Sequence, residues 1–452
     1  MAMRFAHVDE RGNYSKRSNA SASKAAYITM MQVRAYICNE AGKNLAIACT
    51  IAIRYSAVRR QGYSSEKEES GGTKRELQIL DYRQQQHRLF PLLAASYCFF
   101  FTGKKLLEKL KDLEAKLVSS AGVSKAEMQD VHASSSALKS FTTTVAADGI
   151  EDCRKACGGH GFLMCSGLPE LITTYLQNPT VEGDNHMLPQ QVIKVLLKLV
   201  QAVQKGAAAD LGDYRSCDSY ALVPSIRSVL MKKKEKCVAQ SEADMMDLEG
   251  TLLKAFCHRA ARLLVDVAAQ LHLSVKKHGQ TDEEAWNDAL VVMARASRAY
   301  SQFLLLQNFV DGIRTEEARS GGGSIGASES GILSDLARLF GLYWMERELG
   351  DFVEDGYLSG QQSKLVHRCV LTLLDKVRPS AVPLVDAWDF SDFKLRSALG
   401  RYDGNVYPAI MEAARRDPLN ETDPGPGYEE HLKRLIVGGV GAYAQTGTVS
   451  RL

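Results

Sequence analysis

The sequence carries no excess of charge of either sign, because 56 basic and 53 acidic residues leave a formal net charge of +3. No global field therefore draws the chain to nucleic acid or to a membrane surface. Its longest apolar runs, such as residues 92–101, are interrupted by polar residues and fall short of the roughly 20 residues that a membrane-spanning helix needs. The sequence thus predicts neither a nucleic-acid partner nor a membrane span.

The ten cysteines lack the spacing of a disulfide framework, and no apolar stretch behind a basic N-terminus resembles a secretory signal. We therefore expect reduced thiols in an intracellular compartment. The densest cluster of ligand-type residues contains Cys153, Cys157, His160 and Cys165. Cys153 and Cys157 are one helical turn apart, and no pair has the short loop spacing of a zinc knuckle. No metal site is predicted.

Strand-rich blocks are also missing, and apolar residues recur at helical spacing along most of the chain. Ser124 with Glu127, and Thr281 with Glu284, have the spacing of capping boxes at helix starts. A length of 452 residues suggests two or three domains. We therefore predict an all-α fold of two consecutive helical bundles, residues 24–207 and 208–435, each built from long helices joined by modest loops.

Several segments carry more specific expectations. Residues 24–55 predict two helices, or one that is interrupted near Gly42, and residues 62–76 predict an exposed loop. The following helix is expected to run through Pro91 with a kink. Residues 232–236, which are rich in lysine, predict a solvated helix face, and the glycine-rich residues 319–331 predict a flexible connection.

The stretch "CGGHGF", residues 157–162, follows a predicted helix, whereas a dinucleotide fingerprint follows a strand. Termination of that helix accounts for Gly158, because glycine readily takes the left-handed position after a helix. It does not account for Gly159 and Gly161. Two interpretations stay open: the backbone passes close to another surface, or it faces a ligand.

The stretch "NPTVEGDNH", residues 178–186, places Glu182 before an apolar helix. An acid near a helix start is favoured by the helix dipole, and Asp184 or Asn185 would make a suitable cap. However, Glu182 is expected to precede the cap in an extended segment, where Gly183 lets the chain turn and presents the carboxylate. A carboxylate in apolar surroundings is a stronger base, as abstraction of a C–H proton requires. From the residues alone, both interpretations stay open.

Five blocks together resemble the peroxisomal acyl-CoA oxidases. The resemblance runs in order from about residue 24 to residue 435 and depends on their joint occurrence, since each block alone is weak. The blocks are "TIAIRYSAVRRQ" (50–61), "QILDYRQQQHRLFPLLA" (78–94), "GIEDCRKACGGHGFLMCSGLPEL" (149–171), "PTVEGDNHMLPQQ" (179–191) and "LVDAWDFSDFKLRSALGRYDGNVY" (384–407).

The resemblance implies a homodimeric FAD enzyme that oxidises fatty acyl-CoA to trans-2-enoyl-CoA and reduces O₂ to hydrogen peroxide. Glu182 matches the family's catalytic glutamate, which removes the α proton while a hydride passes from the β carbon to flavin N5. Arg59 aligns with an arginine that, in the related dehydrogenases, reaches the FAD pyrophosphate of the neighbouring subunit. Gly158, Gly159 and Gly161 match a glycine turn that approaches the same end of the flavin.

The resemblance also bears on both ends of the chain. Residues 1–23 are similar to the last piece of a β domain with its linker, and the family's preceding helical and β-barrel domains are expected to be absent. Residues 436–452 predict a flexible tail whose last residues, Ser450, Arg451 and Leu452, resemble the address read by the peroxisomal import receptor. Two alternatives stay open: a dehydrogenase that uses a carrier flavoprotein, and a non-catalytic helical fragment or partner subunit without the flavin domain.

Overall fold

The computed structural model describes residues 6–16, 20–67, 74–119, 123–206, 211–319 and 325–437. Helices account for 77% of the structure and strands for 3%, which confirms the all-α prediction. The helices of eight residues or more are α1 (Ala20–Val58), α2 (Arg83–Val118), α3 (Lys125–Ala156), α4 (Leu168–Tyr175), α5 (Leu188–Lys205), α6 (Val223–Leu230), α7 (Lys254–His278), α8 (Leu290–Arg319), α9 (Ala327–Arg347), α10 (Gly360–Val377) and α11 (Val406–Arg415).

Shorter helical segments join these helices. They are Ile79–Asp81, Gly158–Phe162, Met164–Ser166, Asp218–Leu222, Glu242–Met245, Leu248–Leu253, Asp282–Asp288, Leu349–Val353, Arg378–Ser380, Ala381–Asp386, Asp392–Leu395, Pro418–Asn420 and Tyr428–Leu432.

The strands form two antiparallel hairpins. In the first, β1 (Ala6–Val8) pairs with β2 (Tyr14–Lys16), and in the second, β3 (Arg60–Lys67) pairs with β4 (Lys74–Gln78). The second hairpin contradicts the prediction of a loop over residues 62–76. A two-stranded ribbon rich in charge buries neither face fully, so it lacks the apolar alternation by which a strand is recognised in a sequence.

Helix α1 is continuous, so the predicted interruption near Gly42 was wrong. The glycine is where α2 crosses: a Cβ atom at Gly42 would lie 2.9 Å from the backbone nitrogen of Phe100 and 3.0 Å from the carbonyl oxygen of Ser96. Its role is therefore close packing of two helices. Helix α2 runs through Pro91, as predicted, and the kink expected at that residue stays a prediction.

The helix starts follow the capping signals only in part. Ser124 caps α3 by accepting from the backbone nitrogen of Glu127 at 3.0 Å, but the Glu127 carboxylate bonds Lys116 and does not close the box. The box of Thr281 and Glu284 is complete and starts the segment Asp282–Asp288. A side chain at a capping position can thus pair with a residue elsewhere in the fold and leave the capping box incomplete.

Two other expectations need correction. Residues 232–236 form a non-helical connection after α6, where the Glu235 carboxylate contacts His258 Nδ1 at 3.2 Å. Residues 327–331 belong to α9, although the glycine-rich composition predicted a flexible connection there. Residues 320–324 lie outside the described part of the chain.

The core joins the two predicted bundles. Helices α1, α2 and α3 pack against one another, and α8 packs against α2, α3 and α5, so one cluster of buried apolar side chains extends through both. The division at residue 208 stays a prediction. Within the described segments, no helix is both long and apolar enough to cross a membrane.

Candidate active site

The loop that carries Glu182 connects α4 to α5. Residues 176–182 form successive turns, so the predicted extended segment was wrong. Helix α5 begins at Leu188 with Met187 as its N-cap, and no side chain caps it. Asp184 instead accepts from the backbone nitrogen of His186 at 2.8 Å, which closes a turn before the helix. The expected cap at Asp184 or Asn185 is therefore also wrong.

The backbone at Glu182 is left-handed, with φ of 57°, and that at Gly183 has φ of 109°. A residue with a Cβ atom rarely takes this conformation, which costs about 1–2 kcal/mol. The Glu182 side chain is exposed. The described residues thus present the carboxylate openly and do not supply the apolar surroundings that a strong base requires.

Two buried cations hold the backbone of this loop. Arg34, in α1, donates from Nε to the carbonyl oxygen of Glu182 at 3.0 Å. Lys139, in α3, donates from Nζ to the carbonyl oxygens of Gly183 and Pro179 at 2.7 and 3.2 Å. It also donates to Asn185 Oδ1 at 2.9 Å. The loop is therefore anchored to both helices.

Asn185 connects the loop to further residues of α3, and His132 lies beside the Arg34 guanidinium. The Asn185 amide nitrogen donates to the hydroxyl oxygens of Thr143 and Thr144, each at 2.8 Å. Arg34 Nη1 lies 3.4 Å from His132 Nδ1. Burial, followed by the charge of Arg34, lowers the pKa of His132 to about 4. The imidazole is thus neutral at physiological pH, and Nδ1 can accept a hydrogen bond from the guanidinium.

The glycine turn follows α3. Gly158 has φ of 62° and directly follows the C-cap Cys157, as predicted for a helix end. A Cβ atom at Gly158 or Gly159 would meet no atom within 4 Å, whereas one at Gly161 would overlap the carbonyl oxygen of Arg154. Gly161 therefore permits a close backbone approach, whereas Gly158 and Gly159 face open space, and a ligand beside them stays a prediction.

The open face of the turn borders a cavity of about 350 Å³, and Arg59 lies on its wall. The guanidinium donates to Gln61 Oε1 at 2.9 Å and to the Tyr407 hydroxyl at 3.3 Å. Predicted residues Arg59, Gly158 and Gly159 thus meet at one site, whereas Gly161 is buried behind it. The lining residues are Tyr55, Arg59, Gln61, Ile79, Ala156, Cys157, Gly158, Gly159 and His160.

Sequence reasoning missed three polar residues of this cavity, Tyr55, Gln61 and His160. The Tyr55 hydroxyl lies 2.8 Å from His160 Nδ1, and the two rings are perpendicular. Tyr55 precedes Arg59 by one helical turn, and His160 lies within the glycine turn itself, so both had a recognisable spacing. Tyr407 had none, because only the tertiary fold brings it to Arg59.

The cysteines of the Cys153 cluster have separate surroundings. Cys153 Sγ lies 4.0 Å from Cys49 Sγ in the core, and the carbonyl oxygen of Cys165 accepts from the backbone nitrogen of Ala398 at 2.7 Å. Burial raises the pKa of the Cys157 thiol to about 12. Among the described residues, no group of three histidine, cysteine or acidic side chains could hold a metal ion.

The Glu182 loop and the Arg59 cavity contact different parts of α1. The loop meets Arg34, in the first half of the helix, and the cavity meets Tyr55, near its C-terminal end. At about 1.5 Å per residue these two positions are separated by roughly 30 Å. Lys139, inside α3, and its C-cap Cys157 show a similar separation. The described residues therefore form two sites and do not bring Glu182 to the cavity.

Two family models match the chain. "Acyl-CoA oxidase, C-alpha1 domain" matches residues 27–197, and "Acyl-CoA oxidase" matches residues 249–437. The chain is 37% identical over 439 residues to peroxisomal acyl-coenzyme A oxidase 1 of Rattus norvegicus, which covers 96% of this chain and 61% of that protein. The corresponding oxidase of Arabidopsis thaliana is 36% identical over 436 residues, covering 96% and 60%.

Solved structures agree with the family models. Acyl-CoA oxidase 1 of Arabidopsis thaliana superposes with a TM-score of 0.83 at 34% identity, covering 97% of this chain and 61% of that one. Acyl-CoA oxidase-1 of Caenorhabditis elegans, which was solved in complex with FAD and ATP, gives 0.79 at 31% identity, covering 96% and 60%.

The fold and the sequence matches thus define one class, the acyl-CoA oxidases, and the chain belongs to that family. More particularly, it matches the C-terminal portion of the peroxisomal acyl-CoA oxidases and spans about three fifths of the length of these relatives.

Proposed function

We propose that this protein oxidises fatty acyl-CoA to trans-2-enoyl-CoA with FAD and reduces O₂ to hydrogen peroxide, the first step of peroxisomal fatty acid β-oxidation. The observation that carries the proposal is the exposed carboxylate of Glu182, on a loop held by buried cations from two helices. The membership of the acyl-CoA oxidase family supports the same reaction.

Glu182 acts as the base in this proposal. Its carboxylate is accessible, so an acyl thioester can place its α carbon beside it, and the acyl chain then displaces water from the carboxylate. A carboxylate without its water shell is a stronger base, as removal of a weakly acidic C–H proton requires. Because the loop backbone is held before substrate arrives, little ordering remains to be done in the complex.

The residues of the Arg59 cavity fit a dinucleotide phosphate. The guanidinium offers a fork of donors that suits a pyrophosphate, and the open faces of Gly158 and Gly159 let such a group approach the backbone. The FAD bound to a relative of known structure supports this assignment. When bound, FAD supplies the acceptor for the substrate hydride and the means to reduce O₂.

A homodimer reconciles the two sites. The separation of roughly 30 Å between the Glu182 loop and the Arg59 cavity, at about 1.5 Å per residue along α1, argues against one flavin meeting both sites of one chain. In a dimer, each FAD would take its base from one copy and its phosphate contacts from the other.

The peroxisome is the proposed location. The relatives are named as peroxisomal enzymes. Ser450, Arg451 and Leu452, which lie outside the described residues, resemble the address read by the import receptor.

The test is acyl-CoA-dependent peroxide formation by the purified chain after incubation with FAD. We expect a flavin absorption spectrum and peroxide from the wild type, and loss of peroxide with retention of flavin in Glu182→Gln. Glu170→Gln is the matched control, because Glu170 is an exposed acid in α4 whose partner is Arg396 at 3.3 Å, and this variant should keep full activity.

The other outcomes identify the alternatives. Flavin that substrate bleaches without peroxide formation would indicate a dehydrogenase with a carrier flavoprotein. A chain that takes up no FAD would indicate a non-catalytic helical protein. Full activity in Glu182→Gln would contradict the role of this residue as the base.

A further inference from the structure

Lys139 is a buried lysine held by neutral groups. Its side chain has no exposed surface. Its three hydrogen bonds go to two backbone carbonyl oxygens and one amide oxygen, and not to a carboxylate. Burying an ammonium group is unfavourable unless all its donors are satisfied. Burial, with a smaller contribution from the charge of Arg34, lowers the pKa of Lys139 to about 8.

The three acceptors of Lys139 lie on both sides of Glu182. Pro179 precedes the glutamate, and Gly183 and Asn185 follow it. An ammonium group has three donors, and here each of them meets a different point of this one loop. The loop backbone is thereby fixed relative to α3 at three places within seven residues of sequence.

This fixation explains how Glu182 keeps a left-handed backbone. Such a conformation persists only where the surrounding contacts impose it. Without Lys139, the carbonyl of Gly183 loses its partner in α3, and the strained turn can relax. The direction in which the Glu182 side chain leaves the backbone would then change.

We propose that Lys139 is a positioning residue for Glu182: its ammonium group holds the loop 179–185 so that the carboxylate meets the substrate α carbon. This inference rests on the proposed role of Glu182 as the base. Lys139 itself touches neither substrate nor cofactor in this proposal and acts only through the loop backbone. Arg34 holds the loop from the opposite helix.

A purely stabilising role is the alternative, and Lys109 provides a matched control. Lys109 is a second largely buried lysine, in α2, and it pairs with Asp130 at 3.2 Å and with Asp218 at 2.7 Å. These partners do not belong to the Glu182 loop. Lys109→Met should therefore destabilise the fold without altering that loop, whereas Lys139→Met should do both.

The first measurement is hydrogen exchange of the full chain, followed by mass spectrometry of peptides from residues 180–187. The backbone nitrogen of Asn185, which donates to the carbonyl oxygen of Pro179 at 3.0 Å, reports directly on the loop. We expect Lys139→Met to speed exchange there by about tenfold, which is the effect of losing hydrogen bonds to a charged donor. Lys109→Met and Glu182→Gln should leave this exchange unchanged.

The second measurement is the steady-state kinetics of peroxide formation. Because a small misplacement of a base costs about 100-fold in rate, we expect kcat to fall by about that factor in Lys139→Met, while KM changes by less than about threefold. Lys139→Arg keeps the charge and should recover part of both effects. Lys109→Met should keep kcat at a temperature where it is fully folded.

If Lys139→Met does not fold, Asn185→Ala is the substitute. It removes one acceptor of Lys139 together with the hydrogen bonds to Thr143 and Thr144, and smaller changes in the same directions are expected. Unchanged loop exchange in a folded Lys139 variant would overturn the proposal, and so would faster exchange with an unchanged kcat. Exchange needs no flavin, so it tests Lys139 even if Glu182→Gln remains active and the proposed function fails.

Discussion

The Glu182 loop and the Arg59 cavity differ in how many of their polar groups already have partners within the described part of the chain. At the loop, Arg34 and Lys139 satisfy backbone carbonyls and hold a strained turn in place. At the cavity, Gly158 and Gly159 face open space, and the Arg59 guanidinium donates to the side chains of Gln61 and Tyr407. Under the proposed assignment, Glu182 is a base that is positioned before substrate binds, whereas the phosphate contacts of the cavity form only with its ligand.

The largest expected effect separates the two roles within the glycine turn. Gly161→Ala should lower the free energy of unfolding by about 3 kcal/mol, because the new methyl group overlaps the carbonyl oxygen of Arg154. Gly159→Ala should change it by less than about 0.5 kcal/mol, since the methyl group enters open space. Urea unfolding of both variants measures the difference, and equal losses would contradict the division of the turn.

The next effect concerns the cavity. Arg59→Ala should weaken FAD binding by about 10- to 100-fold, as expected for loss of a charged hydrogen-bond donor, and leave the melting temperature unchanged. Arg60→Ala is the control, because Arg60 is exposed and donates to the carbonyl oxygen of Glu76 in the neighbouring strand, away from the cavity lining. Titration of flavin fluorescence is the measurement. Equal affinities of the two variants for FAD would contradict the assignment of Arg59 to the cofactor site.

The third effect is an acid sensitivity that originates at His132, which lies beside Arg34. The pKa of His132 is lowered to about 4 in the folded chain from an ordinary value of 6.5. Between these values the unfolded chain binds more protons. Stability from this residue is therefore present above pH 6.5 and is lost as the pH falls towards 4, by about 1.4 kcal/mol per pH unit.

His132→Asn, which cannot titrate, should reduce that acid sensitivity. Urea unfolding at pH 5 and at pH 7 should show a loss of stability that is about 2 kcal/mol smaller in the variant than in the wild type. An identical loss in both proteins would show that the acid sensitivity has another origin.

The smallest effect tests the strain at Glu182. Glu182→Gly should raise the free energy of unfolding by up to about 1 kcal/mol, because glycine takes a left-handed backbone without steric cost, although its greater freedom in the unfolded chain offsets part of this gain. Glu182→Gln should have no such effect. A destabilised glycine variant would mean that the loop does not impose this conformation.

The helical elements were largely predictable because their signals are local. Helix α3 shows this well: Ser124 begins it and Gly158 ends it, each through a property of a few neighbouring residues. Gly42 shows the limit. In a sequence it looks like a helix break, but it lies where α2 crosses α1, and no local pattern reveals that crossing.

The same limit applies to the two sites. The sequence by itself determined the all-α class, the two ends of α3 and a family resemblance that singled out Glu182, Arg59 and the glycine turn, since all of these are encoded in short stretches. Only the tertiary structure decided that Lys139 and Arg34 hold the Glu182 loop and that Tyr407 meets Arg59, residues far apart in the chain. Such contacts depend on how whole helices pack against each other. Packing brings together residues that are far apart in the chain, and no local pattern in the sequence identifies such pairs.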